Sequence, residues 1–196
     1  MRRILPGLLL LFLSTSAPCA DEASAGARED GPRIVDLTSE LRGGALLISF
    51  RLLGGLDAET RARIAAGLET TFDYRIEVLR HRRFWADAKV RQHQLLTSVK
   101  YDSLSRRYDL GLKMDGEMER SSTTDRAEEM ERWLTSVSEI SLGPAADLLP
   151  PEDFSVRVKA DFPLRFVLLF IPWDRDTAWA RIPFAAPPVT RHDSQR

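Results

Sequence analysis

The stretch from Phe72 to Met114 constrains the fold most. Phe72, Tyr74, Ile76 and Val78 alternate with Asp73, Arg75, Glu77 and Leu79. A period of two puts the first set on one face of a pleated strand, and aromatic and β-branched residues suit that half-buried surface. Past Asp87, a plausible turn residue, His93, Leu95, Thr97, Val99 and Tyr101 repeat the alternation. Asp102-Ser103-Leu104-Ser105 reads as a turn, because Asp and Ser side chains hydrogen-bond the nearby backbone. Tyr108, Leu110, Leu112 and Met114 then form a third apolar face. Short connections between such segments predict an antiparallel meander.

The flanks extend the same pattern. Val35, Leu37, Ser39 and Leu41 alternate, Arg42-Gly43-Gly44 is a tight turn, and Leu46, Ile48, Phe50 and Leu52 return on one face. Asp57 is placed to cap a helix from Ala58 to about Leu68, with Ile64 and Leu68 inward. The polar run 115–122 reads as a hairpin end or loop. A variant capping box at Asp125 to Glu128 predicts a second helix whose buried face carries Ala127, Met130, Trp133, Leu134 and Val137. Residues 145–149 suit one more helical turn. Phe154, Val156, Val158 and Ala160 alternate as a strand with one wet face, and Leu164 to Ile171 is nearly continuous apolar, as in a buried strand. Trp173, Trp179 and Phe184 follow in a loop-like stretch. The expected fold is mainly β (α+β): an antiparallel β-sandwich or half-open barrel of about seven strands with two short helices.

The N-terminus carries a different signal. Arg2 and Arg3 precede an apolar run from Ile4 to Leu13 and a small-residue segment to Ala20. That order is the form of a secretory signal, too short to remain as a membrane span. The expected organisation is a signal peptide over 1–20 with cleavage between 19 and 25, a flexible linker over 21–32, one β-rich domain over 33–184 and a disordered tail over 185–196. This places the mature chain in the periplasm, with membrane association left open. Cys19 is the only cysteine, so cleavage beyond it leaves no thiol and no disulfide.

Composition excludes several classes. The formal net charge of −1 argues against nucleic acid as a partner. There is no Gly-x-Ser-x-Gly elbow, no HExxH, no EF-hand loop and no glycine-rich phosphate loop. Of the histidines, His192 falls in the tail, His81 stands among arginines, and His93 falls on an apolar strand face as a structural histidine would. No catalytic residue, metal site or cofactor is expected, and the chain does not read as an enzyme.

Two stretches stand out as candidate surfaces. Arg80, Arg82, Arg83, Trp85 and Asp87 form the first. Continued alternation would put Arg80, Arg82 and Phe84 on one face, with His81, Arg83 and Trp85 on the other. Arginines beside an aromatic ring grip anionic groups by bidentate contact and cation–π stacking. The favoured reading of the same residues is structural, with Arg80 or Arg82 paired to Asp87 or Glu77 and stiffening the sheet. Phe166, Phe170 and Trp173 form the second, an apolar patch if exposed and a core strand if not.

The spacing Arg80-x-Arg82-x-x-Trp85-x-Asp87, followed by Tyr101-Asp102-Ser103-Leu104-Ser105-Arg106-Arg107-Tyr108, resembles the bacterial envelope family known as domain of unknown function 4390. The resemblance runs from about Arg33 to Phe184 and implies no activity, cofactor or catalytic residue. Genes of that family often lie near a nitrogen-regulation-type membrane sensor kinase. The expected function is therefore a non-enzymatic envelope interaction module, accessory to a membrane sensor kinase system, with an envelope or inner-membrane protein as partner. The alternative is a periplasmic protein that binds lipid or a small apolar ligand.

Overall fold

The computed structural model describes residues 31–162, 165–167, 171–173 and 176–184. The expected signal segment, residues 21–30 of the linker, Phe170 and the 185–196 tail lie outside the described residues. Two antiparallel sheets face each other, and neither closes into a barrel. The smaller has the order β1-β2-β7, with β1 Arg33–Arg42, β2 Ala45–Leu53 and β7 Ser136–Pro144. The larger has the order β11-β8-β3-β4-β5-β6. Its strands are β3 Thr70–Arg80, β4 Ala88–Asp102, β5 Arg107–Met114, β6 Glu117–Thr124, β8 Phe154–Asp161 and β11 Ala180–Pro183. Two short helices, α1 Ala58–Ala65 and α2 Ala127–Thr135, complete the domain.

The core is the pair of apolar faces that the alternation predicts. Leu46, Ile48, Phe50 and Leu52 of β2 meet Phe72, Tyr74, Ile76 and Val78 of β3, all buried. The Phe50 and Tyr74 rings touch edge to face across the interior, 5.0 Å apart. In the larger sheet Tyr74 is flanked by Leu95 on β4 and Ala160 on β8, so β3 is interior and its backbone is paired on both sides. The Tyr74 hydroxyl donates to the Leu134 carbonyl at 2.6 Å, and the Thr97 hydroxyl donates to the same oxygen at 3.2 Å. Carbonyls in the last turn of a helix lack intrahelical partners; here the sheet supplies two donors and seats α2 between the layers. Burial pushes the Tyr74 phenol well above its usual range. Trp133 adds a third tie, its indole N–H donating to the Gly111 carbonyl at 3.1 Å.

Several sequence expectations change in the structure. The polar run 115–122 is not a loop: Asp115 and Gly116 turn the chain, and Glu117–Thr124 is β6, an edge strand exposed on both faces. The second helix ends at Thr135, and Val137 belongs to β7. Its start differs too: Arg126, not Asp125, is the N-cap residue and makes no side-chain cap bond, while the Thr124 hydroxyl accepts from the Arg126 amide and donates to the Glu129 carboxylate. The first helix does use Asp57, whose carboxylate accepts the Thr60 amide at 2.8 Å, but it stops at Ala65 before Gly67, leaving Leu68 exposed. Residues 145–149 form a turn rather than a helix. The apolar run 164–171 is divided: Arg165–Val167 (β9) and Ile171–Trp173 (β10) pair as a separate two-stranded sheet. The stretch after Trp179 is β11, and Phe184 is buried with its ring stacked on Phe154 at 5.9 Å.

Strand directions sort the connections to two ends. The β3–β4 loop, the β1–β2 turn, the 145–153 segment and the exit at Phe184 lie at one end; His81 donates to the Asp153 carbonyl and Ala145 to the Gly44 carbonyl there. Residue 31, α1 and the β4–β5 turn lie at the other, where Gly54 meets Gly31 and Gly67 meets Tyr101.

The shared Leu134 carbonyl generates a prediction. Tyr74→Phe and Thr97→Val each lower the unfolding free energy by about 1 kcal/mol, because one donor remains. The double variant costs more than the sum, since the buried carbonyl is then unpaired. Urea unfolding of the set measures this, and strict additivity would refute the shared-acceptor arrangement.

Candidate interaction loop

The Arg-rich segment does not continue as a strand. β3 ends at Arg80 and β4 starts at Ala88, so His81 to Asp87 form the connecting loop. Alternation stops at Arg80 because no strand pairs with the chain beyond it: Arg80 is the last β3 residue opposite both Ala88 and Phe154. Phe84 is 84% exposed and Trp85 81%. Arg82 and Arg83 are exposed beside them, and the Arg83 guanidinium lies 5.7 Å from the Phe84 ring centroid. Arg82 has no ion-pair partner among the described residues.

The base of this loop is tied down. Asp87 accepts from the Arg181 guanidinium on β11, sits 3.1 Å from His81 Nδ1 and accepts the Arg82 amide. The Arg181 hydrogen bond does most to hold the Asp87 carboxyl below the usual carboxylate range. Arg181 also donates through Nε to the Ser155 hydroxyl at 3.0 Å. Arg80 lies over the Phe154 ring, 5.7 Å from its centroid. Neither Arg80 nor Arg82 makes the expected pair with Asp87 or Glu77. The candidate residues thus divide: Arg80 and Asp87 secure the loop to the sheet, while Arg82, Arg83 and Trp85 project from it.

Next to the loop, Glu77 is nearly fully buried on the outer side of the larger sheet, where alternation predicts a solvated residue. It accepts from Lys89 Nζ at 2.6 Å and from Arg157 Nη2 at 2.6 Å. Arg157 stacks over Trp179, 4.2 Å from the ring centroid. Burial pushes the Glu77 carboxyl up, but the bonds from Lys89 and Arg157 outweigh it and leave it below its ordinary value. The strand pairing sets this cluster: Glu77 is opposite Arg157, and Ser155 opposite Pro183 brings β11 alongside. Arg157, Lys89 and Arg181 escaped the sequence reading. Arg181 falls in a stretch that reads as loop-like, because Ala180–Pro183 is too short to show a period.

Phe166 sits on β9 and Trp173 on β10, in opposed strands of the two-stranded hairpin. Those strands follow β8 at the end away from the Arg-Trp loop, so the two candidate surfaces are separate.

His93 Nδ1 is 2.7 Å from the Asp115 carboxylate, which orients the ring, but Nε2 is buried without a hydrogen-bond partner. A cleft of about 560 Å3 beside α2 is lined by Arg126, Arg132, Glu128 and Glu131 together with Leu52 and Leu53. A second, of about 490 Å3, lies between β6 and β7 with Asp115, Glu117, Glu119, Arg120 and Glu139 around it. Among the described residues no group of three or more His, Cys, Asp or Glu side chains is placed to hold a metal ion, and no helix is long and apolar enough to cross a membrane.

A protein family described as a domain of unknown function (DUF4390) matches residues 29–183. The chain belongs to this family. The match spans both sheets and the Arg-Trp loop, and its description assigns DUF4390 no activity. No curated protein and no solved structure matches the chain.

The Glu77 cluster has a testable acid signature. A carboxyl whose folded pKa is depressed contributes stability above its unfolded value near 4.5 and loses it as pH falls through the folded value. Wild-type stability therefore declines below about pH 4.5, and Glu77→Gln, less stable at neutral pH, shows a shallower decline. Thermal unfolding across that range measures both slopes; equal slopes would remove Glu77 from the acid transition.

Proposed function

We propose that this protein is an exported, non-enzymatic interaction module of the bacterial envelope that contacts another envelope component through the β3–β4 loop. One observation carries the reading: Phe84 and Trp85 are adjacent, more than four-fifths exposed, and borne on a loop whose base is fixed by Asp87, His81 and Arg181. Exposing two large aromatic rings opposes the hydrophobic effect, and such surface commonly serves contact. Trp and Arg are the side chains that most often dominate binding energy at interfaces. A pre-ordered loop also loses less conformational entropy on binding. Export rests on the Arg2-Arg3 start and the Ile4–Leu13 apolar run. An accessory role beside a membrane sensor kinase is the place in the envelope that this reading favours.

The reading with an apolar ligand inside the sheets attracts less support. The space such a ligand would take is occupied by Phe50, Tyr74 and Leu134, each fully buried.

The test places a photocrosslinker at position 85 of the full chain in cells and a control at the exposed Leu104. Position 85 captures a defined envelope component, and Arg82→Glu abolishes the capture. Because Arg82 and Trp85 are exposed, Arg82→Glu and Trp85→Ala change stability by no more than about 0.5 kcal/mol. Equal capture from both positions, or capture indifferent to Arg82→Glu, would sink the proposal.

A further inference from the structure

Four of the exposed large apolar side chains lie at one end of the sandwich. Phe84 and Trp85 are on the β3–β4 loop, Val90 is near the start of β4, and Leu149 is on the 145–153 segment. That segment is tied to the loop through the His81 amide and the Asp153 carbonyl, 2.7 Å apart. The remaining exposed apolar side chains, such as Leu68 and Leu104, are at the other end or, like Met118, on the β6 edge.

The charges around this tip are uneven. Arg80, Arg82 and Arg83 are exposed, and none has a carboxylate partner among the described residues. The acids nearest the loop are engaged: Asp87 by Arg181 and His81, Glu77 by Lys89 and Arg157, and Asp147 by Arg91. Glu152 and Asp153 remain, in the single turn Pro151–Asp153 before β8, where the Asp153 carbonyl accepts from the His81 amide; three unpaired arginines face these two acids.

We propose that the Arg82–Trp85 tip docks on an anionic lipid bilayer, the two rings entering the interfacial layer and the arginines pairing with lipid phosphates. This rests on the reading of the β3–β4 loop as the contact surface and names its partner. Charge favours an anionic lipid surface here. Phe84 and Trp85 are both exposed beside Arg82 and Arg83, which have no carboxylate partner among the described residues, and a protein partner would need a pocket for each ring. A bilayer interface accepts projecting rings anywhere along its surface. Tryptophan is favoured at that depth because its ring is apolar while its N–H stays within reach of headgroups. Arginine suits the collar because its planar fork bonds phosphate bidentately and its stem lies along apolar surface. Trp and Phe alone give weak partitioning, and basic residues beside them strengthen binding to anionic surfaces in a salt-dependent way.

The experiment uses the exported protein purified from the envelope, with vesicles of phosphatidylcholine alone or mixed with phosphatidylglycerol, read by co-sedimentation. Binding is expected only with phosphatidylglycerol and weakens as salt rises. Each of Arg82→Glu and Arg83→Glu lowers the partition coefficient about fivefold or more. Phe84→Ala with Trp85→Ala abolishes binding at moderate salt, and the blue shift of tryptophan emission on binding is absent in Trp85→Phe. Binding that ignores the loop substitutions, or that is equal on phosphatidylcholine, overturns the proposal. Absence of vesicle binding, with a protein still crosslinked at position 85, overturns the lipid partner and leaves the contact loop standing. Absence of both removes the loop as a contact surface altogether.

Discussion

The two sheets are held in relation by Tyr74. Its ring packs edge to face against Phe50 of the opposite sheet, and its hydroxyl reaches the last turn of α2. A buried phenol needs an acceptor, a buried helix end needs a donor, and one contact satisfies both. α2 then occupies part of the gap that would otherwise separate the layers, and Leu134 and Met130 join the core. The arrangement makes β3 the central element, because it is paired on both edges and covered on its inner face.

The outer face of β3 is put to a different use. Glu77 is buried there between Lys89 and Arg157, with Trp179 lying over the arginine. A buried carboxylate with two cationic partners is weak evidence for added stability; here its bonds link β3 to β4 and to β8. Next to it, Asp87 joins the end of the β3–β4 loop to Arg181 on the sheet's edge strand. The loop tip is therefore free in its side chains and held in its base, which is the combination that a contact surface needs.

Much of this was legible in the residues. Alternation identified β2, β3, β4, β5 and β8 and their inward faces, and Asp57 marked the start of α1. The misses have local causes. β6 has no apolar face: every residue from Glu117 to Thr123 is exposed, so no period of two marks the strand. β7 buries Val137, Ile140 and Leu142, and the bulge at Glu139, with φ of 51°, adds a residue between the first two. That breaks the period of two in β7, and Val137, three residues after Leu134, fell on the expected helical face although α2 ends at Thr135. A similar bulge at Asp36 shifts β1, so Ile34 is buried where the alternation favoured Val35. β11 is only Ala180–Pro183, too short to show a period.

The sequence by itself determined which face of each long strand is apolar and that successive segments pair antiparallel, because side-chain direction depends on local period alone. It also determined that arginines and aromatics cluster between residues 80 and 85. Only the tertiary structure decided that β8 lies beside β3 and β7 beside β2, since those partners are far apart in the chain and are selected by shape and burial. It decided as well that pairing ends at Arg80. Whether a residue lies in a strand or a loop depends on a neighbouring chain being present to take its hydrogen bonds, and no local pattern contains that neighbour.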